Sequence, residues 1–288
     1  MESPQVFRTK DYNKQVTNEF FCYYRCPSCD FIFLDPVPAD LGSYYPPQYH
    51  SLPETQAQME TLASRDKHKI DLVKKYVSGG ELLEIGPSWG AFCFNAKNAG
   101  FNVTAIEMDP ACCRFLKETV GVNAFQGNEI LPLMDQIGPC DVIMLWHVVE
   151  HLPNAWSVLQ AVSDKLKPGG ILIVSAPNPD SLQFKAQGKR WPHVDAPRHP
   201  LLIPYKTLVR NVEQYGPRLV HLTTRDPATL ESNIFGWQYL FVNLSDNPYI
   251  RIALNAFGIL IGIILSPLEK RKDWGSAYTA VFRKEAAK

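Results

Sequence analysis

The sequence has no charge of either sign to spare. Its 288 residues hold 29 Lys and Arg against 29 Asp and Glu. A general nucleic-acid binder carries a basic excess, so that class is not expected, although a local basic patch remains open. A disordered chain is not expected either, because hydrophobic residues make up 45% and the net charge is zero. Cysteine is also sparse for a stapled protein. The seven, at 22, 26, 29, 93, 112, 113 and 140, are odd in number and scattered. That pattern does not read as a secreted disulfide framework. Residues 1–20 lack the apolar stretch of a signal peptide, which points to a reducing, cytoplasmic compartment. The longest charge-free apolar run, Ile252 to Leu268, has 17 residues and falls short of the ~20 that a spanning helix needs. No internal repeat or low-complexity tract is visible.

What remains has three textures. Residues 1–60 combine clustered Cys, many aromatics and Pro-rich turns such as Asp35-Pro36-Val37-Pro38, the composition of a small loop-rich lobe. Residues 61–225 alternate short apolar runs with helical segments, as in a parallel α/β sheet. Residues 226–272 form an insertion with an apolar helix, and 273–288 supply a final strand. Within the middle region, one helix is expected over Arg65–Val77, strands over Glu81–Ile85, Val103–Ile106, Asp141–Trp146 and Ile171–Ser175, and a turn at Lys167-Pro168-Gly169-Gly170. Right-handed crossovers make this one doubly wound sheet.

Ligands of such sheets sit beyond the carboxyl ends of the strands. Three segments belong there. Glu84-Ile85-Gly86-Pro87-Ser88-Trp89-Gly90 follows a strand and opens a helix, whose free N–H groups suit a ligand. Glu107 ends the next strand, 17 residues after Gly90, where two carboxylate oxygens can accept both ribose hydroxyls. Gln126-Gly127-Asn128-Glu129 follows the expected third strand and can meet an adenine edge.

The stretches Leu82–Gly90, Ala105–Pro110, Asp141–Leu152 and Leu166–Asn178 resemble class I S-adenosylmethionine-dependent methyltransferases. The resembling group contains quinone-headgroup O-methyltransferases and methyltransferases of sugar and cell-surface biosynthesis. Cys26-Pro-Ser-Cys29, Asp35-Pro36-Val37-Pro38 and Trp191–Pro200 are similar to it as well. The resemblance implies a Rossmann-like seven-stranded sheet with an antiparallel last strand, and S-adenosyl-L-methionine as cofactor. It implies that Glu84, Gly86, Pro87, Ser88, Gly90, Glu107, Met108, Asn128, Glu129 and Trp146 border the cofactor. The family loop usually has a second glycine where this chain has Ser88. The acceptor is expected to be a small molecule, a sugar or a lipid-linked compound. His147, His151, His199 and Asp195 are candidate catalytic groups, with His193 beside them, because imidazole suits proton transfer near neutral pH.

Competing readings stay open. Gly86-Pro87-Ser88-Trp89-Gly90 also fits a G-x-S-x-G nucleophile elbow, which would make Ser88 a hydrolase nucleophile. An inactive scaffold that keeps the cofactor fold is a third class. His147-Val148-Val149-Glu150-His151 fits H-x-x-E-H, so His147, Glu150 and His151 are candidate metal ligands, though a divalent ion is not expected there. Cys22, Cys26 and Cys29 make part of a zinc site, with His50 a distant fourth candidate. The run at 252–272, ending in Lys270-Arg271-Lys272, is either a buried or oligomer-contact helix, or one lying on a membrane surface.

Overall fold

The computed structural model describes residues 4–46, 49, 51–271 and 273–286. His50 and Lys272 lie outside the described residues. An antiparallel hairpin opens the chain: β1 (Gln5–Lys10), β2 (Phe20–Arg25) and β3 (Ile32–Leu34). Helices α1 (Gln56–Arg65) and α2 (Lys67–Val73) follow, where one helix over Arg65–Val77 was expected. The break is at Asp66, which caps α2 while its N–H still bonds back into α1. The alternating region then runs β4 (Gly80–Ile85), α3 (Ala91–Asn98), β5 (Phe101–Glu107), α4 (Pro110–Phe115), β6 (Asn123–Gln126) and α5 (Ile130–Met134). It continues with β7 (Cys140–Trp146), α6 (Ala155–Lys165), β8 (Leu166–Pro177), α7 (Leu182–Gln187), β9 (Leu201–Leu202) and α8 (Tyr205–Gln214). The chain closes with β10 (Arg218–Thr223), α9 (Pro227–Val242), α10 (Pro248–Glu269) and β11 (Ala277–Arg283).

The main sheet has seven strands in the order β10-β11-β8-β7-β4-β5-β6. The pairs β5–β6, β4–β5, β4–β7 and β7–β8 are parallel, and β11 runs antiparallel to both its neighbours. The expected turn at 167–170 lies inside β8, as an irregularity where the pairing passes from Cys140/Leu166 to Val142/Ile171. Strand order reverses between β4 and β7, so the crevice of this sheet opens above Ile85, Glu107 and Trp146. Strand period two divides the core. Leu83, Ile85, Ile143 and Leu145 pack with α6 and α8, whereas Leu82, Val142, Met144 and Trp146 pack towards α2 and α3. Glu84 falls on that second, apolar face.

The small sheet, β1-β2-β3-β9, is completed by residues from far along the chain. Leu201 and Leu202 pair with Phe33 and Ile32. A buried ion triad joins the same two regions. The fully buried Arg198 donates from Nη2 to Asp11 Oδ1 at 2.6 Å and to Asp195 Oδ1 at 2.7 Å. Its Nη1 donates to Asp11 Oδ2 at 3.1 Å and to the Tyr44 carbonyl at 2.9 Å, and its Nε to Asp195 Oδ2 at 3.1 Å. Burial pushes the Asp195 carboxyl up, but the Arg198 hydrogen bonds outweigh it and hold it at about 2. Asp11 is lowered in the same way.

Removing one member of a buried pair leaves uncompensated charge. Arg198→Ala should therefore cost about 3–5 kcal/mol in urea unfolding, with Arg198→Lys between it and the wild type. Both carboxyls are depressed in the folded state. Their contribution is present above the unfolded aspartate value and is lost at lower pH, for Asp195 as pH falls through about 2. Acid titration of the wild type should show that loss, and Arg198→Ala should not.

Candidate functional site

The loop after β4 is shaped by backbone geometry. Gly86 has φ +69°, and a Cβ there would lie 2.6 Å from Cγ2 of Val148. Only glycine lets this loop touch the turn that follows β7. Gly90, also left-handed at φ +92°, caps α3. Ser88 sits at φ +55°, so an L-residue holds a glycine-type conformation that costs about 1 kcal/mol. Glu107 fixes this bend. Its Oε2 accepts from the Ser88 N–H and its Oε1 from the Asp109 N–H, both at 2.8 Å. Burial raises its carboxyl despite those two bonds. Met108 beside it is 43% exposed, free to form one wall for a planar ligand, and Asn128 and Glu129 are exposed just beyond β6. Pro87 is buried beneath the loop.

Glu84 lies behind the loop. Cys93 on α3 donates its thiol to Glu84 Oε2 at 2.9 Å. Burial lifts the Glu84 carboxyl to about 7, against the pull of Lys69 and of the thiol. Lys69 Nζ sits 4.8 Å from the Trp146 ring centroid and bonds Asp66 at 2.8 Å. Lys69 and Cys93 carry no motif, and only the fold brings them to Glu84.

The turn after β7 carries the polar cluster. His147 has φ +54°, and Val149–His151 is a single tight turn. The H-x-x-E-H residues thus lie on a short turn after a strand, not on one face of a long α-helix. His147 Nδ1 meets Glu150 Oε1 at 3.2 Å. The Glu150 side chain is 2% exposed against 31% for His147. Burial raises the Glu150 carboxyl, but the His147 hydrogen bond and the surrounding imidazoles bring it to about 2. A carboxylate only accepts, so His147 Nδ1 carries the proton and Nε2 keeps the lone pair. His151 Nδ1 lies 3.0 Å from the Arg198 carbonyl and 2.8 Å from the Tyr45 hydroxyl, while His199 Nδ1 lies 2.8 Å from the His193 carbonyl. Both rings therefore also keep Nε2 unprotonated when neutral. They cross edge to face, 4.4 Å apart. Burial and the charge of His199 lower His151 to about 4, and burial lowers His193 to about 3.

Ligating atoms of Glu150, His151 and His199 lie within 4.8 Å of one another. Glu150 Oε2 is buried without a partner among the described residues. These features fit a divalent ion of the zinc type better than a hard cation, with His199 standing where His147 was expected. Asp195 was a candidate base, but Arg198 and Asn13 occupy its oxygens, and it stays 3.8 Å from His199 Nε2. Among the described residues, no cluster joins Cys22 to Cys26 and Cys29. Those two stand as a bare pair, with the Cys29 thiol donating to Cys26 at 2.8 Å and burial lifting Cys29 to about 11. Tyr45, Asp11 and Arg198 had no signal in the sequence, since nothing local marks an aromatic or an ion that acts from another lobe.

A family profile described as "Methyltransferase domain" matches residues 56–222, more than half of the chain. The chain belongs to the methyltransferase-domain family. Its sheet order is that of class I S-adenosylmethionine-dependent methyltransferases. Among curated proteins, this methyltransferase domain is 30% identical over 114 residues to a ubiquinone biosynthesis O-methyltransferase of Shewanella pealeana. That match covers 38% of this chain and 48% of the relative, so the chain spans about half the length of the curated relatives it matches. Among solved structures, a SAM-dependent methyltransferase from Archaeoglobus fulgidus superposes with a TM-score of 0.53 at 18% identity, covering 78% of this chain and 94% of that one. An O-methyltransferase family protein from Burkholderia thailandensis gives 0.51 at 11% identity, covering 81% and 60%. At these identities the likeness concerns the fold. The family match sets aside the hydrolase reading, and the Ser88 hydroxyl is engaged with the Cys112 thiol.

Because burial raises the Glu84 carboxyl, the folded state holds a proton that the unfolded chain releases. The contribution is full below the unfolded glutamate value and is lost as pH rises through about 7. Melting temperatures between pH 5 and 8 should fall in the wild type relative to Glu84→Gln.

Proposed function

We propose that the protein transfers the methyl group of S-adenosylmethionine to a hydroxyl of a small-molecule acceptor. One observation carries the acceptor side: the 3.2 Å contact between His147 Nδ1 and the buried, ionised Glu150. A carboxylate behind Nδ1 fixes the ring and stabilises the imidazolium that forms when Nε2 takes a proton. His147 is half-open to the crevice and adjoins the loop that Gly86 lets approach Val148. The Shewanella pealeana relative is an O-methyltransferase, which supports a hydroxyl acceptor.

The cofactor reading uses the loop of β4 and the end of β5. Gly86, Pro87, Ser88 and Gly90 frame the methionine and ribose parts. Each Glu107 oxygen accepts one backbone N–H and retains a lone pair for a ribose hydroxyl. Met108, Asn128 and Glu129 border the adenine, and Glu84 and Trp146 lie towards the methionine end. A sulfonium methyl is already activated, so the protein contributes alignment and exclusion of water. The acceptor oxygen forms its bond to the methyl carbon as the sulfur–carbon bond breaks. Its proton passes to His147 Nε2, and S-adenosylhomocysteine leaves. His151, held neutral by burial, and His199, each turned by a backbone carbonyl, hold the acceptor. A divalent ion bound by Glu150, His151 and His199 would add Lewis-acid polarisation of that oxygen.

Loss of a hydrogen bond to a charged group costs about 1.5–3 kcal/mol, so Glu107→Ala should weaken S-adenosylmethionine binding roughly 10- to 150-fold by calorimetry. His147→Gln should retain cofactor affinity and lower kcat by about 10²–10⁴, with Glu150→Gln following in the same direction. Cofactor binding with no turnover on any phenolic acceptor would return the chain to the inactive-scaffold class. Full activity in His147→Gln would overturn the assigned base. Loss of activity on chelation, restored by zinc alone, would assign the cluster to a metal.

A further inference from the structure

We propose that the α9–α10 hairpin is a docking surface for an anionic lipid bilayer, with α10 lying in the plane of the interface. The helix is longer than the charge-free run suggested, since Pro248–Glu269 spans 22 residues, including Arg251. It is long and apolar enough to cross a membrane, yet only 11% of its most apolar window, of mean hydropathy 1.9, is buried. An amphipathic helix of a soluble domain turns its apolar face inward. Here the inward face is made of glycine. A Cβ on Gly258 would lie 2.6 Å from the Gln238 Cα, so α10 and α9 touch backbone to backbone. The large apolar side chains are left outside: Tyr249, Ile252, Phe257, Leu260, Ile263 and Ile264 are 46–82% exposed. A contiguous patch of this kind marks an interaction surface.

Charge selects the occupant. Glu269, the only acid of α10, is buried, and its Oε1 accepts from Gln183 and Trp237. Lys270 and Arg271 are exposed at the end of the helix. Arg271 and Lys185 both approach the Trp274 ring, at 5.7 and 5.9 Å. An apolar face ending in a basic and aromatic edge matches the acyl region and the anionic headgroups of one leaflet. At the far end, exposed Asp246 is followed five residues later by Arg251, and the polar Asn243–Asn247 turn and Pro267 favour lying over crossing. The surface also leads to the site, because Phe235 of α9 is 47% exposed and its ring lies 6.3 Å from that of His193. Resting on the methyl-transfer reading, this places the acceptor side at the bilayer and favours an acceptor with a lipid tail. The docking itself stands without that reading.

The full chain is sedimented with phosphatidylcholine vesicles, with and without phosphatidylglycerol, at low and high salt. Binding is expected on the anionic vesicles and should weaken with salt. The triple variant Ile252→Asp, Leu260→Asp, Ile263→Asp should lose at least tenfold in affinity, and Lys270→Glu with Arg271→Glu should lose the preference for phosphatidylglycerol. Calorimetry with S-adenosylmethionine on the same variants reports a folded core and should be unchanged. No vesicle binding by the wild type, or binding that neither variant alters, overturns the proposal. So does a concentration-dependent dimer that the triple variant abolishes while vesicles go unbound, which gives the face to a second copy. A wild type that binds vesicles but not S-adenosylmethionine would sink the methyl-transfer reading and leave the docking standing.

Discussion

The guanidinium of Arg198 holds two parts of the chain in one arrangement. Asp11 comes from the first strand region and Asp195 from a segment some 180 residues later, and both carboxylates close on the same planar fork. Five donors in fixed geometry explain why arginine is used, since a lysine ammonium cannot grip both partners side by side. The pairing also reaches the chemistry. The Arg198 carbonyl accepts from His151, and the Tyr23 hydroxyl donates to the His199 carbonyl. The tautomers of the cluster are thus set by the backbone that the ion triad pins. A buried ion pair is weak evidence for stability in itself, because desolvation offsets the attraction. Its use here is placement.

The sheet was legible because burial on both faces forces continuous apolar strands. Ile143, Leu145, Leu172 and Val174 can hardly be read otherwise. The glycine loop and Glu107 were legible because their roles are local: a turn, a helix start, a strand end. The break at Asp66 was not, since the apolar periodicity continues across it, and only the N–H bonds of Asp66 and Lys69 show two helices. The site was half legible. His147, Glu150 and His151 are neighbours in sequence, but the placement of His147 at positive φ turned it towards Glu150 and left His199 to approach from another segment. Asp195 looked like a base because nothing in its neighbourhood of sequence reveals Asp11. Long-range ion pairs leave no periodicity behind.

Two kinds of environment divide the crevice. Around the loop after β4 the acids, Glu84 and Glu107, are raised by burial. Around the turn after β7 Glu150 is lowered by the imidazoles around it, and burial keeps His151 and His193 neutral. The zero net charge of the chain averages over this division and over the basic edge near Trp274.

The bend at Ser88 has a thermodynamic meaning of its own. A glycine at that position would enter the left-handed region freely and leave it as freely. A serine enters it only because Glu107 grips its N–H and the surrounding turn leaves no other course. The loss of conformational freedom is therefore taken when the chain folds, not when a ligand arrives. The loop meets its ligand already shaped, so little ordering entropy opposes binding there, and differences in affinity between ligands should reflect contacts instead of induced order.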